Sequence, residues 1–547
     1  MKKLLKIGYW LLPLAFLGMA VGLKQESNKQ FEISKNLEIF ANLYKELNTY
    51  YVDDLDPGSL MRKGMESMVG SLDPFTNYIA ESDIEGYRLR SSGKYFGIGA
   101  QSKKMGDYVT ITKLYKDQPA DKAGLRVGDQ IMSVDGKDAK GKTSAELDFV
   151  LQGFPDTDVL ITVKRPGLAN PVDINLTRGE VRRQNVPYSG LIGDNDIIYV
   201  ALSTFTRNAG KNVANALRDL RLENPDAKGV VLDLRGNGGG LLLEAVNLSN
   251  VFIPKGELVV TTKGKVKEWD NAFRTLSSVT EGEMPLTILI DKNSASASEI
   301  VSGVIQDYDR GVLVGQRSYG KGLVQNTKQI GYNSQLKMTT AKYYIPSGRC
   351  IQSVEYKDGE PVNIPDSERT AFKTKNGRAV LDGGGVAPDM KIEAKADLPV
   401  IQSLQKANII FDFITEYYAG KTEVAPVDEL RFNDFDAFLA FLDKKQYTFK
   451  TQSQKLLDKM VKEATDEGYN LGNTVTQLEK KIKEEQRKIV LDNMDVIADL
   501  IEKEVAGRYY YEEGSVRIGL RNDKEVEEAI KLLKDTKRYE KYLKGKR

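Results

Sequence analysis

Between residues 171 and 396, short apolar runs alternate with amphipathic ones. This alternation limits the fold more than any other feature of the 547-residue chain. Residues 197–202, 229–234, 286–290 and 312–314 read as strands, and 209–221, 241–252 and 297–308 as helices between them. Strands that follow helices in this order predict a layered α/β core with parallel strands. Catalytic groups in such a core are expected where strands end and helices begin.

The rest of the chain is patterned differently. Residues 93–167 suggest a small β/α module, with strands at 109–114, 130–134 and 159–163 and a helix at 144–151. Residues 32–90 read as helices, since Ile33, Leu37, Phe40, Tyr44 and Leu47 recur at helical spacing. Turns are expected at Asp56-Pro57-Gly58 and Leu72-Asp73-Pro74. After residue 396 the chain is charged and helical, opened by Leu404, Ala407 and Ile410 and continued through 478–506. This last part reads as a packing or dimerisation domain, so a homodimer is one expected assembly.

Lys2, Lys3 and Lys6 precede an apolar run over 7–23, the order of a secretory signal. A cleaved signal peptide and an uncleaved signal-anchor both fit, and either puts the remainder outside the cytoplasm. The expected division is thus 1–28 signal segment, 29–90 helical region, 91–168 small module, 169–396 core and 397–547 helical domain. A net charge of +2 gives no global field for nucleic acid. Only Cys350 is present, which excludes an intrachain disulfide, and with no histidine either an N/S zinc site is not expected. No metal or cofactor is expected.

The absence of histidine also constrains any nucleophilic serine. Its base must be something other than imidazole, and an amine serves if burial lowers a lysine from about 10.4 to about 7–8. Two segments fit. Asn293-Ser-Ala-Ser-Ala-Ser-Glu-Ile300 puts Ser296 between two alanines at a strand-to-helix turn, where helix N–H groups can meet an oxyanion. The same Ser296 and Glu299 have the spacing of a capping box, so the residues alone leave helix cap and nucleophile open. Ser318-Tyr-Gly-Lys-Gly-Leu-Val-Gln325 puts Lys321 between two glycines, with Gln325 four residues on as an acceptor for the amine. The loop Gly236-Asn-Gly-Gly-Gly240 fits neither G-x-G-x-x-G nor a Walker loop, and reads as a tight turn or an oxyanion loop. Tyr95-Phe-Gly-Ile-Gly-Ala100 could turn its N–H groups toward a peptide carboxylate, with the neighbouring strand extended by the peptide.

Taken in order, Leu72-Asp-Pro-Phe-Thr76, Gly97-Ile-Gly99, 123–129 and Asp233-Leu-Arg-Gly-Asn-Gly-Gly-Gly-Leu-Leu242 form a series with the serine and lysine segments. Tyr344-Ile-Pro-Ser-Gly-Arg349 and Gly385-Val-Ala-Pro-Asp389 complete it. The series resembles the carboxyl-terminal processing (tail-specific) serine peptidases, family S41, over residues 35–395. The resemblance implies a ClpP/crotonase-like protease core with an inserted PDZ domain, flanked by N-terminal and C-terminal helical regions. It implies Ser296 as nucleophile, Lys321 as base and Gln325 as its orienting partner. The oxyanion hole maps to the Ala297 N–H and to Gly239, with Gly240 next. The PDZ carboxylate loop maps to Phe96, Gly97, Ile98 and Gly99. Two departures stand out: the family's N-P-G-G reads Asn237-Gly238-Gly239-Gly240, and its I-R-G reads Leu151-Gln152-Gly153.

The expected function is an envelope-located serine endopeptidase whose PDZ domain captures proteins or peptides with apolar C-termini. Two rivals differ in class. One is a non-catalytic PDZ adaptor with a degenerate core, against which the intact Ser–Lys–Gln set argues. The other is a crotonase-like acyl-CoA enzyme, disfavoured by the exported N-terminus and the PDZ module.

Overall fold

A computed structural model describes residues 29–84, 87, 94–357, 360–363, 365–393, 398–447 and 452–545. The expected signal segment lies outside the described residues. Among those described, no helix is long and apolar enough to cross a membrane.

The α/β core is a six-stranded sheet in the order Tyr188–Ile192, Ile197–Ala201, Gly229–Asp233, Leu286–Ile290, Val312–Gly315, Met390–Lys391. The first pair is antiparallel and the others are parallel. Every residue of the four central strands is buried, as strands covered on both faces must be. Alternate side chains serve opposite faces. Ile198, Val200, Val230, Leu232 and Ile288 pack against the helices Ala209–Glu223, Leu242–Phe252 and Ala297–Asp307.

The opposite face is covered by the C-terminus of the chain. Val526, Ala529, Leu532 and Leu533 of the helix Lys524–Lys534, with Tyr539 of Thr536–Leu543, pack on Tyr199, Val231, Leu289 and Val314. The apolar positions recur at helical spacing, and Asp523 caps the helix by accepting the N–H groups of Glu525 and Val526. Tyr539 hooks the sheet through its hydroxyl, which accepts from the Leu286 N–H at 2.9 Å and donates to the Leu286 carbonyl at 3.0 Å. A core confined to 169–396 would leave this face bare, because its own helices all serve the other.

A second, antiparallel sheet was not anticipated. Ser334–Tyr344 pairs with Leu258–Gly264, Leu323–Gly331 and Asn77–Ile79, and Asn271–Arg274 extends it. The region expected to be helical up to residue 90 contains helices at 29–50 and Pro57–Gly70, but Asn77–Ile79 is a strand of this sheet. That pairing brings Asp73-Pro74-Phe75-Thr76 to the core.

The small module is an insertion. Lys94–Gly97 pairs antiparallel with Gly179–Arg182, so the chain enters and leaves side by side. Its main sheet runs from Ala100–Met105 to Val172–Thr177, the latter paired with Asp158–Lys164. The module therefore continues beyond the boundary expected at 168; the turn at Gly167 is internal to a hairpin. The remaining C-terminal helices have their own aromatic core around Phe413, Phe432, Phe438 and Phe441. They also touch the small module: Lys113 pairs with Glu512 at 2.8 Å, Tyr511 donates to Asp121 at 2.7 Å and Lys103 to Asn408 at 3.0 Å.

If the last helices are a layer of the core, Leu532→Ala should destabilise the whole sheet by about 2–5 kcal/mol. A lowered denaturant midpoint for the core tests this; an unchanged midpoint would make the helices an appendage.

Candidate active site

The strand Leu286–Ile290 ends in a turn that is held from several sides. Asp291 accepts the Gly236 N–H at 2.9 Å and the Ser294 hydroxyl at 3.1 Å. The Asn237 carbonyl accepts from the Ala295 N–H and, at 2.8 Å, from the Ser298 hydroxyl. Ser296 follows at φ 55°, ψ −111°, a conformation that L-residues rarely adopt. This is the sharp strand-to-helix elbow that exposes a side chain at the start of a helix. Its neighbour is Gly239, where an added Cβ would lie 2.8 Å from the Ser296 Cβ and 2.9 Å from the Ala297 nitrogen. Only glycine allows so close an approach.

Glu299 ties this elbow to the lysine segment. It is fully buried, and its carboxylate accepts four bonds: the Ser296 N–H at 2.7 Å, the Lys321 N–H at 2.9 Å, the Gly320 N–H at 2.6 Å and the Ser318 hydroxyl at 2.5 Å. Burial pushes its pKa up, against the pull of these donors. The capping-box reading of Glu299 is therefore half of its role, since the same carboxylate fixes residues 318–321. Tyr343 repeats the tie on the acceptor side. Its buried hydroxyl lies against the carbonyl oxygens of both Ser296, at 3.2 Å, and Lys321.

Lys321 has its pKa lowered to about 8, first by burial and then by the charge of Lys337; Glu299 and Asp73 oppose the shift. Its Nζ lies 4.3 Å from the centre of the Phe75 ring. Asp73 shapes the turn that presents this ring, accepting the N–H groups of Phe75 and Thr76 at 2.8 Å each. Thr76 in turn accepts the Thr339 N–H at 3.2 Å. Phe75, Asp73 and Tyr343 were given no role from sequence. Their signal was present in the Leu72-Asp-Pro-Phe-Thr76 run, but only the unanticipated second sheet brings it to the lysine.

Not every expected contact is made. Among the described residues no hydrogen bond joins Lys321 Nζ to Ser296 Oγ or to Gln325; the Gln325 amide instead donates to the Thr339 hydroxyl at 3.3 Å. The backbones of Ser296 and Lys321 are locked together while the amine rests on Phe75. In the glycine loop, the Gly239 N–H donates to Asn237 Oδ1 at 2.9 Å. The amides of Ala297, Gly238 and Gly240 have no acceptor among the described residues. Gly240 thus offers the unengaged N–H of the two glycines named for an oxyanion hole. Its φ of 149°, with an added Cβ 2.4 Å from the Phe205 carbonyl oxygen, again demands glycine.

The expected carboxylate loop lies in the small module. Phe96 and Gly97 belong to the entry ribbon, Ile98 is buried and Gly99 turns at φ 78°. Beside it, a cavity of about 550 Å³ lies between Ala100–Met105 and the helix Ser144–Leu151. Ile98, Ser102, Asp148 and Leu151 line it, together with Arg183 and Thr204 from the core.

Three segments of the chain match known protein families. Residues 196–360 match the model for peptidase family S41, residues 110–165 a PDZ domain, and residues 400–533 the C-terminal helical domain of probable PDZ-proteases. The carboxy-terminal-processing protease of Bartonella bacilliformis is 34% identical over 330 residues, which cover 60% of this chain and 75% of that protein. This chain belongs to peptidase family S41. A probable CtpA-like serine protease of Staphylococcus aureus is 33% identical over 334 residues, 60% of this chain; the match spans only 65% of that relative's length. Among solved structures, the photosystem II D1 C-terminal processing protease is 25% identical, with a TM-score of 0.35, over 65% of this chain and 92% of that one. The S41 chain is thus a serine-type peptidase of the carboxy-terminal-processing kind, with a PDZ domain inserted between its N-terminal helices and its core.

The shared carboxylate can be tested directly. Glu299→Gln replaces an acceptor oxygen by an amide that must face N–H or O–H donors, at a cost of about 1–3 kcal/mol. We expect a lower unfolding midpoint together with a fall in kcat. Wild-type kcat in this variant would show that the tie between the two segments is dispensable.

Proposed function

We propose that this S41 peptidase captures the free, apolar C-terminus of a protein in its PDZ groove and cleaves near that end, with Ser296 as nucleophile and Lys321 as base. The observation that carries the reading is the Glu299 carboxylate, which binds the backbone N–H of both residues at 2.7 and 2.9 Å beside a lysine lowered to about 8. The glycines of 97–99 and the adjoining 550 Å³ groove support tail capture.

The chemistry follows from these groups. Neutral Lys321 leaves the Phe75 ring and takes the Ser296 hydroxyl proton as Oγ bonds to the scissile carbonyl carbon. Hydrogen bonds of this kind tighten when substrate is bound. The oxyanion is met by the N–H groups of Ala297 and Gly240, or of Gly239 once Asn237 releases it. Collapse of the intermediate breaks the C–N bond, and the Lys321 ammonium returns its proton to the leaving amine. Water, deprotonated by the same lysine, then frees Ser296 from the acyl group. Gln325 stands four residues beyond the lysine, on the strand Leu323–Gly331, as the partner that orients the amine during turnover. The lysine-flanked apolar N-terminus supports a location on the outer side of a membrane, anchored or secreted.

Ser296→Ala and Lys321→Ala should each abolish cleavage of an unstructured, apolar-tailed protein while leaving its binding intact. Product mass spectrometry with varied C-termini reads both activity and site. Cleavage that persists in Ser296→Ala would refute the nucleophile. Retained tail binding with no cleavage by the wild-type chain would favour the adaptor reading.

The pH dependence has a definite sign. The lowered pKa makes the amine neutral, and so a base, only above about 8. kcat/KM should therefore climb as pH rises toward 8 and level off beyond it. A profile flat between pH 6 and 9 would exclude Lys321 as the base, since about 6 and about 9 bracket its titration.

A further inference from the structure

We propose that Glu525 and Asp523, at the start of the helix Lys524–Lys534, are positioning residues for the peptidase reaction, holding Arg235 and through it the glycine loop that faces Ser296. This rests on the reading of Ser296 as nucleophile.

Arg235 lies two residues past the strand Gly229–Asp233 and leads into the loop 236–240. Its Nε and Nη2 are both taken by Asp233, at 3.0 and 2.6 Å. That pairing alone would satisfy a structural ion pair. Nη1 points the other way, to Asp523 at 2.7 Å and Glu525 at 2.5 Å, nearly 300 residues later in the chain. Asp233 is itself held by the Tyr199 hydroxyl at 2.7 Å. The guanidinium is thus stretched between the end of a core strand and the C-terminal helix, with no free rotamer.

The loop it precedes is mostly glycine and takes much of its shape from bonds to neighbouring segments. Of residues 236–240 only Asn237 has a side chain beyond Cα. Its far end is fixed by backbone bonds with Phe205, whose N–H donates to Gly239 at 3.0 Å and whose carbonyl accepts from Leu241 at 2.8 Å. Its near end is held by the Gly236 N–H on Asp291 at 2.9 Å, by the Asn237 amide on the Leu202 carbonyl at 2.8 Å, and by Arg235, whose backbone N–H and guanidinium are both bound to Asp233. Glu525 also accepts the Gln316 amide at 3.0 Å. Gln316 leads directly to Ser318, which donates to Glu299. One carboxylate of the C-terminal helix therefore touches the roots of both walls of the site, the oxyanion loop and the lysine segment.

The test is steady-state cleavage of an apolar-tailed peptide by the full chain. Asp523→Asn with Glu525→Gln keeps the shape and the helix cap but removes both charges. kcat should fall about 10- to 100-fold through misplaced groups, with KM held within about twofold. Lys534→Gln is the control. It breaks the same helix's pairs with Asp194 and Asp196, at 2.7 and 3.0 Å, without touching Arg235. It should loosen docking and leave kcat intact. If the double variant does not fold, Glu525→Gln alone is read in the same way. Wild-type kcat in the charge-removed protein beside an inactive Ser296→Ala overturns this proposal alone. An equal loss in Lys534→Gln overturns it in favour of simple docking. Cleavage by Ser296→Ala overturns the nucleophile and this proposal with it.

Discussion

A single buried carboxylate, that of Glu299, is the constraint on which the site depends. An anion removed from water is expensive unless its oxygens are filled by donors. Here four donors converge on it, one from the serine segment and three from the lysine segment, counting Ser318 with the latter. The segments are 25 residues apart in sequence, yet neither can move without leaving the carboxylate short of a bond. The strained backbone of Ser296, worth about 1–3 kcal/mol in such conformations, persists because its N–H and carbonyl are both held.

The same economy of position extends to the domains. The core sheet is closed on one face by its own helices and on the other by the end of the chain. The C-terminal helical domain therefore spans from the core to the PDZ domain, which it grips through Lys113–Glu512 and Tyr511–Asp121. The PDZ groove is walled partly by Thr204, whose hydroxyl lies 3.5 Å from the Gly239 carbonyl oxygen. The groove of the small module, the glycine loop 236–240 and Ser296 are consequently neighbours in a single packed body.

What could be read from sequence was what depends on local pattern. The strands 130–134 and 286–290 and the helix 144–151 lie where alternation and capping put them, because burial on one or two faces leaves a direct imprint on residue order. Ser296 at a helix start and Lys321 in a glycine turn were legible for the same reason. The second sheet was not, because the hairpin of Leu323–Gly331 and Ser334–Tyr344 is mostly half-exposed and polar, without a clean alternation. Nor was the placement of Phe75 over the lysine, which depends on pairing between residues 77–79 and 335–337. The helix at 524–534 falls in the part of the chain that reads only as charged and helical. That it covers the core's far face is a long-range fact that no local window contains.

A histidine-free serine site places opposed demands on any amine that is to act as its base, and the surroundings of Lys321, the proposed base, fit both. The amine must be neutral before it accepts a proton and tolerable as an ammonium afterwards. Burial and the charge of Lys337 favour the neutral form. Glu299 and Asp73 favour the charged form, and so does the face of Phe75 at 4.3 Å. Burial without these counterweights would lower the pKa further and leave a weaker base. The counterweights without burial would leave a surface lysine protonated throughout the working range. A pKa of about 8 is the balance of the two, close enough to neutrality for an amine in the proposed role both to take a proton and to give it up.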